Sequence, residues 1–145
     1  MKTISWDECF MEMAKTVAKR SKDPNTQAGA IIVDRNRQII ASGYNGWIKG
    51  VEEGIFPWNR VGPFLQTKYP YVVHCEENAI YRSMKEVRGG TLYTTLYPCN
   101  ECAKSIIQTG IVEVVYLEDK YPEKDEWIAS KRLLEIAGIK VRKYL

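Results

Sequence analysis

The first twenty residues carry a helical pattern of apolar positions. Ser5, followed three residues later by Glu8, forms a capping box, which predicts that a helix begins there. Pro24 ends the helical region, because the residue before a proline is pushed out of the helical backbone conformation. Four apolar residues recur at helical spacing and predict the buried stripe of this helix: Trp6, Phe10, Met13 and Val17.

Two apolar runs rich in β-branched residues follow, at positions 28–33 and 38–42. The polar residues 34–37 between them predict a hairpin turn, so the two runs should pair as antiparallel strands. The segment Gly43–Gly46 closes the second run, and from there to Pro70 the chain is aromatic and rich in glycine and proline, without a sustained period. Loops this long inside a compact domain are usually functional, and we expect an ordered loop that covers a site or an interface.

The second half alternates between helix-like and strand-like segments. Helices are predicted at 76–84, 98–110 and 123–137, and strands at 91–96, 112–117 and 139–144. Because helices separate the last three strands, right-handed parallel crossovers are favoured. The predicted fold class is α/β: a three-layer α/β/α domain over residues 1–145, with a mixed five-stranded sheet.

Composition and charge narrow the classes of function. The chain has 145 residues, of which 45% are hydrophobic and 27% charged, as is ordinary for one globular domain. Its net charge is +3 and its basic residues are scattered, which disfavours a nucleic-acid partner but suits a small anionic substrate. No apolar run reaches membrane-span length, and no signal-peptide pattern opens the chain. We therefore expect a cytoplasmic protein without a membrane partner.

One stretch concentrates residues that bind metals. His74, Cys99 and Cys102 offer an imidazole and two thiolates, the usual protein ligands of zinc. A structural zinc site normally closes with four protein ligands, whereas a catalytic site keeps one position for water. Glu76 supplies a carboxylate that could handle the proton of that water. The pattern H-x-E…P-C-x-x-C is the signature of zinc-dependent nucleobase deaminases.

The neighbours of His74 leave one alternative open. Cys75 could complete a closed structural site with three cysteines and one histidine, although adjacent residues diverge by about 100° on a helix. Glu77 is assigned a structural or solvent-facing role. Cys9 and Cys75 are both expected to be small buried apolar residues, because a disulfide is disfavoured without a secretory signal.

With these residues identified, the chain resembles the deoxycytidylate (dCMP) deaminases of the cytidine deaminase-like superfamily. The resemblance covers nearly the whole sequence, and the R-S-K-D-P-N and G-Y-N-G segments indicate the nucleotide-specific branch. Five segments carry it: Arg20–Ala30, Gly43–Gly46, Thr67–Ile80, Leu96–Lys104 and Asp119–Tyr121.

The resemblance implies the cytidine deaminase-like fold and one catalytic zinc ion (Zn2+) per chain, held by His74, Cys99 and Cys102. It implies that Glu76 shuttles protons while water replaces the amino group of cytosine. The expected reaction is hydrolysis of dCMP to dUMP and ammonia, which supplies dUMP for thymidylate synthesis.

Matching positions also imply contacts with the deoxynucleotide. The backbone N–H of Cys75 is expected to face the pyrimidine carbonyl, and Asn45 the deoxyribose or the base. Tyr121 is expected near the nucleotide. Three further residues match positions near the 5′-phosphate: Ser21, Lys22 and Asn25.

The sequence departs from the family in two places. Cys75 and Glu77 replace the family's usual alanine and apolar residue, and Trp47-Ile48 replace a loop segment that normally contains proline. In many members that loop forms part of a site where dCTP activates and dTTP inhibits, and the family suggests a homo-oligomer, a hexamer. Two alternative functions stay open: deamination of another or a 5-modified cytosine nucleotide, and zinc-stabilised nucleotide binding without catalysis.

Overall fold

Four helices cover a central five-stranded sheet in the computed structural model, which describes residues 1–145. The helices are α1 (Trp6–Ala18), α2 (Cys75–Arg82), α3 (Asn100–Gln108) and α4 (Asp125–Ile136). The strands are β1 (Gly29–Val33), β2 (Ile39–Tyr44), β3 (Gly46–Trp47), β4 (Val72–Val73), β5 (Thr91–Leu96), β6 (Glu113–Glu118) and β7 (Lys140–Lys143). No helix combines the length and the apolar character that crossing a bilayer requires.

The sheet is mixed and has the strand order β2-β1-β5-β6-β7. Strand β1 pairs antiparallel with both β2 and β5, whereas β5, β6 and β7 run parallel. The predicted hairpin, the parallel crossovers and the α/β fold class are therefore confirmed. The short antiparallel pair β3–β4 joins the two ends of the predicted loop and was missed, because two-residue strands leave no periodic pattern.

The core has two parts, one on each face of the sheet, because successive strand side chains point to opposite faces. On β1, Ile31 and Val33 belong to the cluster under α1, while Ala30 and Ile32 belong to the other cluster. Helices α2, α3 and α4 all contribute to that second cluster. The result is three layers, with α1 alone on one side of the sheet.

The first helix begins as predicted but turns a different face to the sheet. The Ser5 hydroxyl accepts a hydrogen bond from the Glu8 N–H (3.0 Å). Trp6 and Met13 are 53% and 36% exposed, so the predicted stripe is wrong at two of its four positions. The buried residues are Phe10, Met11, Ala14 and Ala18.

Close approach between helix and sheet explains this choice of face. A Cβ atom on Gly29 would lie 2.2 Å from the Ala14 carbonyl oxygen, so α1 crosses β1 where only small residues fit. Gly43 of β2 has the same role on the opposite side, since a Cβ there would lie 2.4 Å from the Ala79 nitrogen and 2.5 Å from the Cys75 oxygen. The strand thus fixes the position of α2, the helix that follows His74.

The segment between β2 and α2 is ordered by aromatic stacking. The rings of Trp47 and Trp58 stack with centroids 3.9 Å apart, as do those of Phe56 and Tyr71. Residues of this segment line two cavities that are also lined by the predicted metal ligand His74. The prediction of an ordered loop beside a site is confirmed.

Candidate metal centre and catalytic cavity

The three predicted metal ligands converge where two helices begin. His74 is the N-cap residue of α2 and Cys99 is the N-cap residue of α3, with Cys102 in the first turn of α3. Pro98 precedes this cap, so α3 begins two residues later than the predicted 98–110 helix. One donor atom from each ligand lies within 4.8 Å of the others.

These distances fit zinc. His74 Nδ1 lies 3.3 Å from the Cys99 sulfur and 3.4 Å from the Cys102 sulfur. Tetrahedral zinc, with bonds of about 2.3 Å to sulfur and about 2.0 Å to nitrogen, would separate such atoms by about 3.5 Å. The donor set is therefore close to the spacing that the ion needs, and the predicted zinc cofactor is confirmed.

The electrostatics of the cluster favour a divalent cation. Hydrogen bonds from the Cys102 thiol and from His74 lower the pKa of Cys99 to about 5. The bond to Cys99 in turn raises the pKa of His74 to about 9, and the pKa of Cys102 lies above its usual value through its bond to Cys99 and burial. The two thiols and the imidazole thus share protons through hydrogen bonds, and a metal ion that binds there displaces these protons.

Cys75 is not a metal ligand. It lies outside the cluster of ligand atoms, and its sulfur lies 3.2 Å from Glu76 Oε1. Burial raises the pKa of the Cys75 thiol, followed in importance by the nearby Glu76 charge. The closed four-ligand alternative is thereby excluded, and the site keeps one coordination position without a protein ligand.

Glu76 is buried beside the metal centre. Glu76 is only 4% exposed, and its carboxylate accepts a hydrogen bond from the Thr94 hydroxyl (2.7 Å). We call the cavity of about 120 Å³ that Glu76 lines together with His74 and Cys99 the inner cavity. A buried carboxylate next to a three-ligand metal site can accept and return protons during hydrolysis.

Glu77, for which a structural or solvent-facing role was predicted, is half-buried. Its Oε1 lies 3.7 Å from the Cys102 sulfur. Its other oxygen accepts a hydrogen bond from the Tyr81 hydroxyl (2.8 Å). Glu77 lines a second space of about 1040 Å³, which we call the outer cleft.

Half of the six residues predicted to contact the nucleotide lie at the inner cavity. Asn45, Cys75 and Tyr121 line the inner cavity. Both polar groups of the Asn45 side chain bond to backbone: Oδ1 accepts from the Ala28 N–H and Nδ2 donates to the Thr26 oxygen, each at 2.8 Å. Asn45 thus also holds the chain that enters β1.

The three residues predicted to contact phosphate do not line the inner cavity. Ser21 is buried and donates a hydrogen bond to the Asn45 carbonyl (2.9 Å). Lys22 is exposed, forms an ion pair with Glu53 and lines the outer cleft. Asn25 is exposed and donates to the Trp58 oxygen (3.3 Å). Their role in phosphate binding stays a prediction.

Sequence reasoning missed several residues of the inner cavity. Asp23 and Lys68 form a buried ion pair at its wall. They are 45 positions apart in the chain, and the sequence gave no signal that they meet. Trp127 also lines the cavity and donates through Nε1 to the Tyr97 oxygen (2.8 Å). Two further basic residues of the wall have no acidic partner, namely Arg60 and Lys124.

Known proteins resemble this chain in sequence and in fold. Residues 4–118 match the family model described as the cytidine and deoxycytidylate deaminase zinc-binding region. Human deoxycytidylate deaminase is 46% identical over 144 residues, which cover 98% of this chain and 81% of the human protein. ComE operon protein 2 of Bacillus subtilis is 38% identical over 146 residues, covering 97% of this chain and 72% of that protein.

A solved structure agrees over the full length. The dCMP deaminase of cyanophage S-TIM5, crystallised in complex with dCMP and dUMP, superposes with a TM-score of 0.78 at 27% identity. The similarity covers 99% of this chain and 100% of the phage chain. By its matched region, its ligand triad and its fold, the chain belongs to the cytidine and deoxycytidylate deaminase family, whose zinc-binding region it carries.

Proposed function

We propose that this protein is a zinc-dependent deaminase that hydrolyses dCMP to dUMP and ammonia. One observation carries the proposal: the buried Glu76 carboxylate shares the inner cavity with two of the three metal ligands. A protein that only bound nucleotides would have no use for a buried carboxylate there. The human and phage relatives, named for action on deoxycytidylate, support the choice of substrate.

The residues of the cavity divide the chemistry between them. His74, Cys99 and Cys102 would hold zinc, which supplies a Lewis acid that lowers the pKa of a bound water to about 7. Glu76 takes a proton from the attacking water and delivers it to N3 of cytosine. It then takes the remaining proton from the oxygen now bonded to C4 and delivers it to the amino group. The C4–N bond breaks as the C4 carbonyl forms, so that dCMP and water yield dUMP and ammonia.

Other residues are proposed to orient the nucleotide. The Cys75 N–H at the start of α2 would face the pyrimidine carbonyl, and Asn45 and Tyr121 would contact the nucleoside from the cavity wall. Ser21, Lys22 and Asn25 remain proposed for the phosphate end. We also propose Arg60 and Lys124 for the phosphate, since both line the inner cavity without an acidic partner. A phosphate favours charge-assisted hydrogen bonds of the kind that these side chains donate.

Regulation and assembly are proposed on separate grounds. The outer cleft is proposed to receive a second nucleotide such as dCTP or dTTP. Its volume is about 1040 Å³, and basic residues line it, namely Arg20, Lys22 and Lys49. The loop between β2 and α2 exposes Val61, Phe64 and Leu65, each by more than half. Such exposed apolar side chains are consistent with a homo-oligomer, a hexamer by family resemblance.

A substrate panel tests the proposal. Zinc-loaded protein is expected to release ammonia from dCMP, and much more slowly from CMP, deoxycytidine and dCTP. Addition of dCTP or dTTP to parallel reactions tests regulation, and light scattering tests assembly. Equal rates on dCMP and deoxycytidine would overturn the phosphate contacts, and no ammonia from any cytosine nucleotide would overturn the enzyme assignment.

A further inference from the structure

Both side-chain hydrogen bonds of Glu76 fall on the same oxygen. The Thr94 hydroxyl lies 2.7 Å from Oε1, and the Cys75 sulfur lies 3.2 Å from that atom. Cys75 and Thr94 are both buried in the core, at 1% and 0% exposure. Since no hydrogen bond falls on Oε2, the two carboxylate oxygens have unlike surroundings.

We propose that Thr94 and Cys75 are positioning residues that hold Glu76 by Oε1 and leave Oε2 as the oxygen that exchanges protons with water and base. The inference rests on the proposed function, because it specifies how Glu76 performs proton transfer. Neither side chain need touch the substrate. A carboxylate fixed through one oxygen cannot rotate to exchange its two oxygens, so the distance from Oε2 to the reacting atoms is set by β5 and α2.

The surroundings of Thr94 support a specific role for its hydroxyl. Thr94 lies on β5 directly opposite Ala30 of β1, on the face of the sheet whose cluster is otherwise apolar. The hydroxyl also lies 2.9 Å from the Leu96 carbonyl oxygen. One hydroxyl has a single proton to donate, and donation to an ionised carboxylate is the stronger of the two bonds.

Cys75 supplies the second donor because of its place in the chain. It is the first residue of α2, so its side chain is fixed by the same turn that presents His74 and Glu76. Its sulfur lies 3.8 Å from the Thr94 oxygen as well as 3.2 Å from Glu76. The three side chains form one buried network in which strand and helix both restrain the carboxylate.

The neighbouring Thr95 provides a matched control. Thr95 is buried at 7% exposure on the same strand, and its hydroxyl accepts a hydrogen bond from the Gly29 N–H (3.0 Å). It makes no hydrogen bond to Glu76 and does not line the inner cavity. Thr95→Val therefore removes a buried hydroxyl from β5 without touching the proposed network.

The kinetic test compares Thr94→Val, Thr94→Ser, Cys75→Ala and Thr95→Val, with dCMP as substrate. Thr94→Val is expected to lower kcat at least about tenfold with zinc content unchanged and KM altered little, because a hydrogen bond to a charged group is lost. Thr94→Ser should recover most of kcat, and Cys75→Ala should lose less than Thr94→Val. Thr95→Val should keep kcat near that of the parent even where its melting temperature falls.

An infrared measurement tests the contact without activity. The S–H stretch of Cys75, identified by its loss in Cys75→Ala, is followed in zinc-free protein. We expect the S–H frequency of Cys75 to lie below that of a free thiol. We expect the same frequency to rise in Glu76→Gln. A free-thiol frequency that does not respond to Glu76→Gln would overturn the role of Cys75.

The two proposals fail separately. If the parent protein deaminates dCMP but Thr94→Val matches it in kcat, the positioning role is overturned and the function stands. Equal losses in Thr94→Val and Thr94→Ser would also overturn it, since only one of them lacks the hydroxyl. If Thr94→Val does not fold, Thr94→Ser, Cys75→Ala and the S–H band decide. If the parent is inactive on every nucleotide, the function fails, and with it the role in proton transfer.

Discussion

The Lys68 ammonium and the Asp23 carboxylate form an ion pair at the wall of the inner cavity, with side chains that are 9% and 0% exposed. Asp23 also accepts through Oδ1 from the backbone N–H groups of Asn25 (2.8 Å) and Thr26 (3.3 Å). The pair therefore ties the long aromatic loop to the turn that follows α1. Buried charges of this kind are costly to separate.

Removing one partner should destabilise the fold strongly. Lys68→Met leaves Asp23 buried without its cation, and we expect the free energy of unfolding to fall by about 3–5 kcal/mol. Urea denaturation measures this change. The control is Lys68→Met combined with Asp23→Asn, which should recover part of the loss. A change below about 1 kcal/mol in Lys68→Met, the level of exposed pairs, would contradict the burial of this pair.

Glu76→Gln should separate metal binding from turnover. The amide keeps the size of the side chain but cannot shuttle protons, so we expect kcat to fall by about 10²–10⁴-fold or more. Metal analysis should find one zinc per chain in both proteins. Glu77→Gln serves as the matched control and should lose far less. A Glu76→Gln protein with near-normal rates would refute the proton shuttle.

Lys124 should contribute to recognition of the phosphate. Lys124→Ala is expected to raise KM for dCMP about tenfold, the effect of losing one charged hydrogen bond, while the slow reaction with deoxycytidine stays unchanged. Lys120→Ala is the control, because Lys120 also lies near the Tyr121 ring but does not line the inner cavity. Equal effects on dCMP and deoxycytidine would argue against a phosphate contact. Lys22→Ala, measured alongside, tests the prediction made from the sequence.

Acid should weaken the contact that joins α1 to β7. The Arg142 guanidinium binds both oxygens of Asp7, at 2.5 and 2.9 Å, and Tyr93 donates to one of them (2.7 Å). The bond from Arg142 lowers the pKa of Asp7 to about 2 from an ordinary value of 3.8. The stabilisation is therefore complete above pH 3.8 and disappears as the pH falls towards 2.

Comparison of the parent with Asp7→Asn at two pH values checks this prediction. Because Asp7 is partly exposed, solvent screening limits the contribution to about 1 kcal/mol at pH 6. The difference in urea midpoint between the two proteins should shrink at pH 3. A difference that grows on acidification would have the wrong sign for a lowered pKa.

Removal of zinc should cost both activity and stability. A ligand that binds only the folded state stabilises it by an amount that grows with the logarithm of its free concentration relative to its Kd. Chelation is therefore expected to lower Tm and abolish ammonia release, and added zinc should restore both. Cys102→Ala, which removes one ligand, should make Tm nearly insensitive to the chelator. An unchanged Tm in chelated parent protein would contradict tight binding at this cluster.

The sequence predicted the parts of this protein that depend on local patterns. Strand β5 begins and ends at the predicted residues, and Ser5 caps α1 as expected. The metal ligands could be predicted because their chemistry is carried by residue type and by spacing at helix starts. The buried face of α1 could not, since it depends on the close approach of Gly29.

The contacts missed from the sequence are all long-range pairings of unpatterned residues. Lys22 sits in a motif that suggests phosphate binding, yet its charge is directed to Glu53 in the neighbouring loop. Nothing in the sequence distinguishes Thr94 from other strand threonines. Its hydrogen bond to Glu76 arises only because the fold packs β5 against the start of α2. Side-chain direction in turns and across elements is decided by tertiary packing, which local propensity does not encode.

Gly43 has a consequence for anyone who would transplant this site. Its backbone lies so near α2 that no side chain fits between them. The strand therefore sets the distance between the helix and the sheet. A grafted copy of His74, Glu76 and the two cysteines would need the same bare position in the recipient scaffold. With alanine at that position, the helix would lie farther from the sheet, and the distance from His74 to the two cysteine sulfurs would increase.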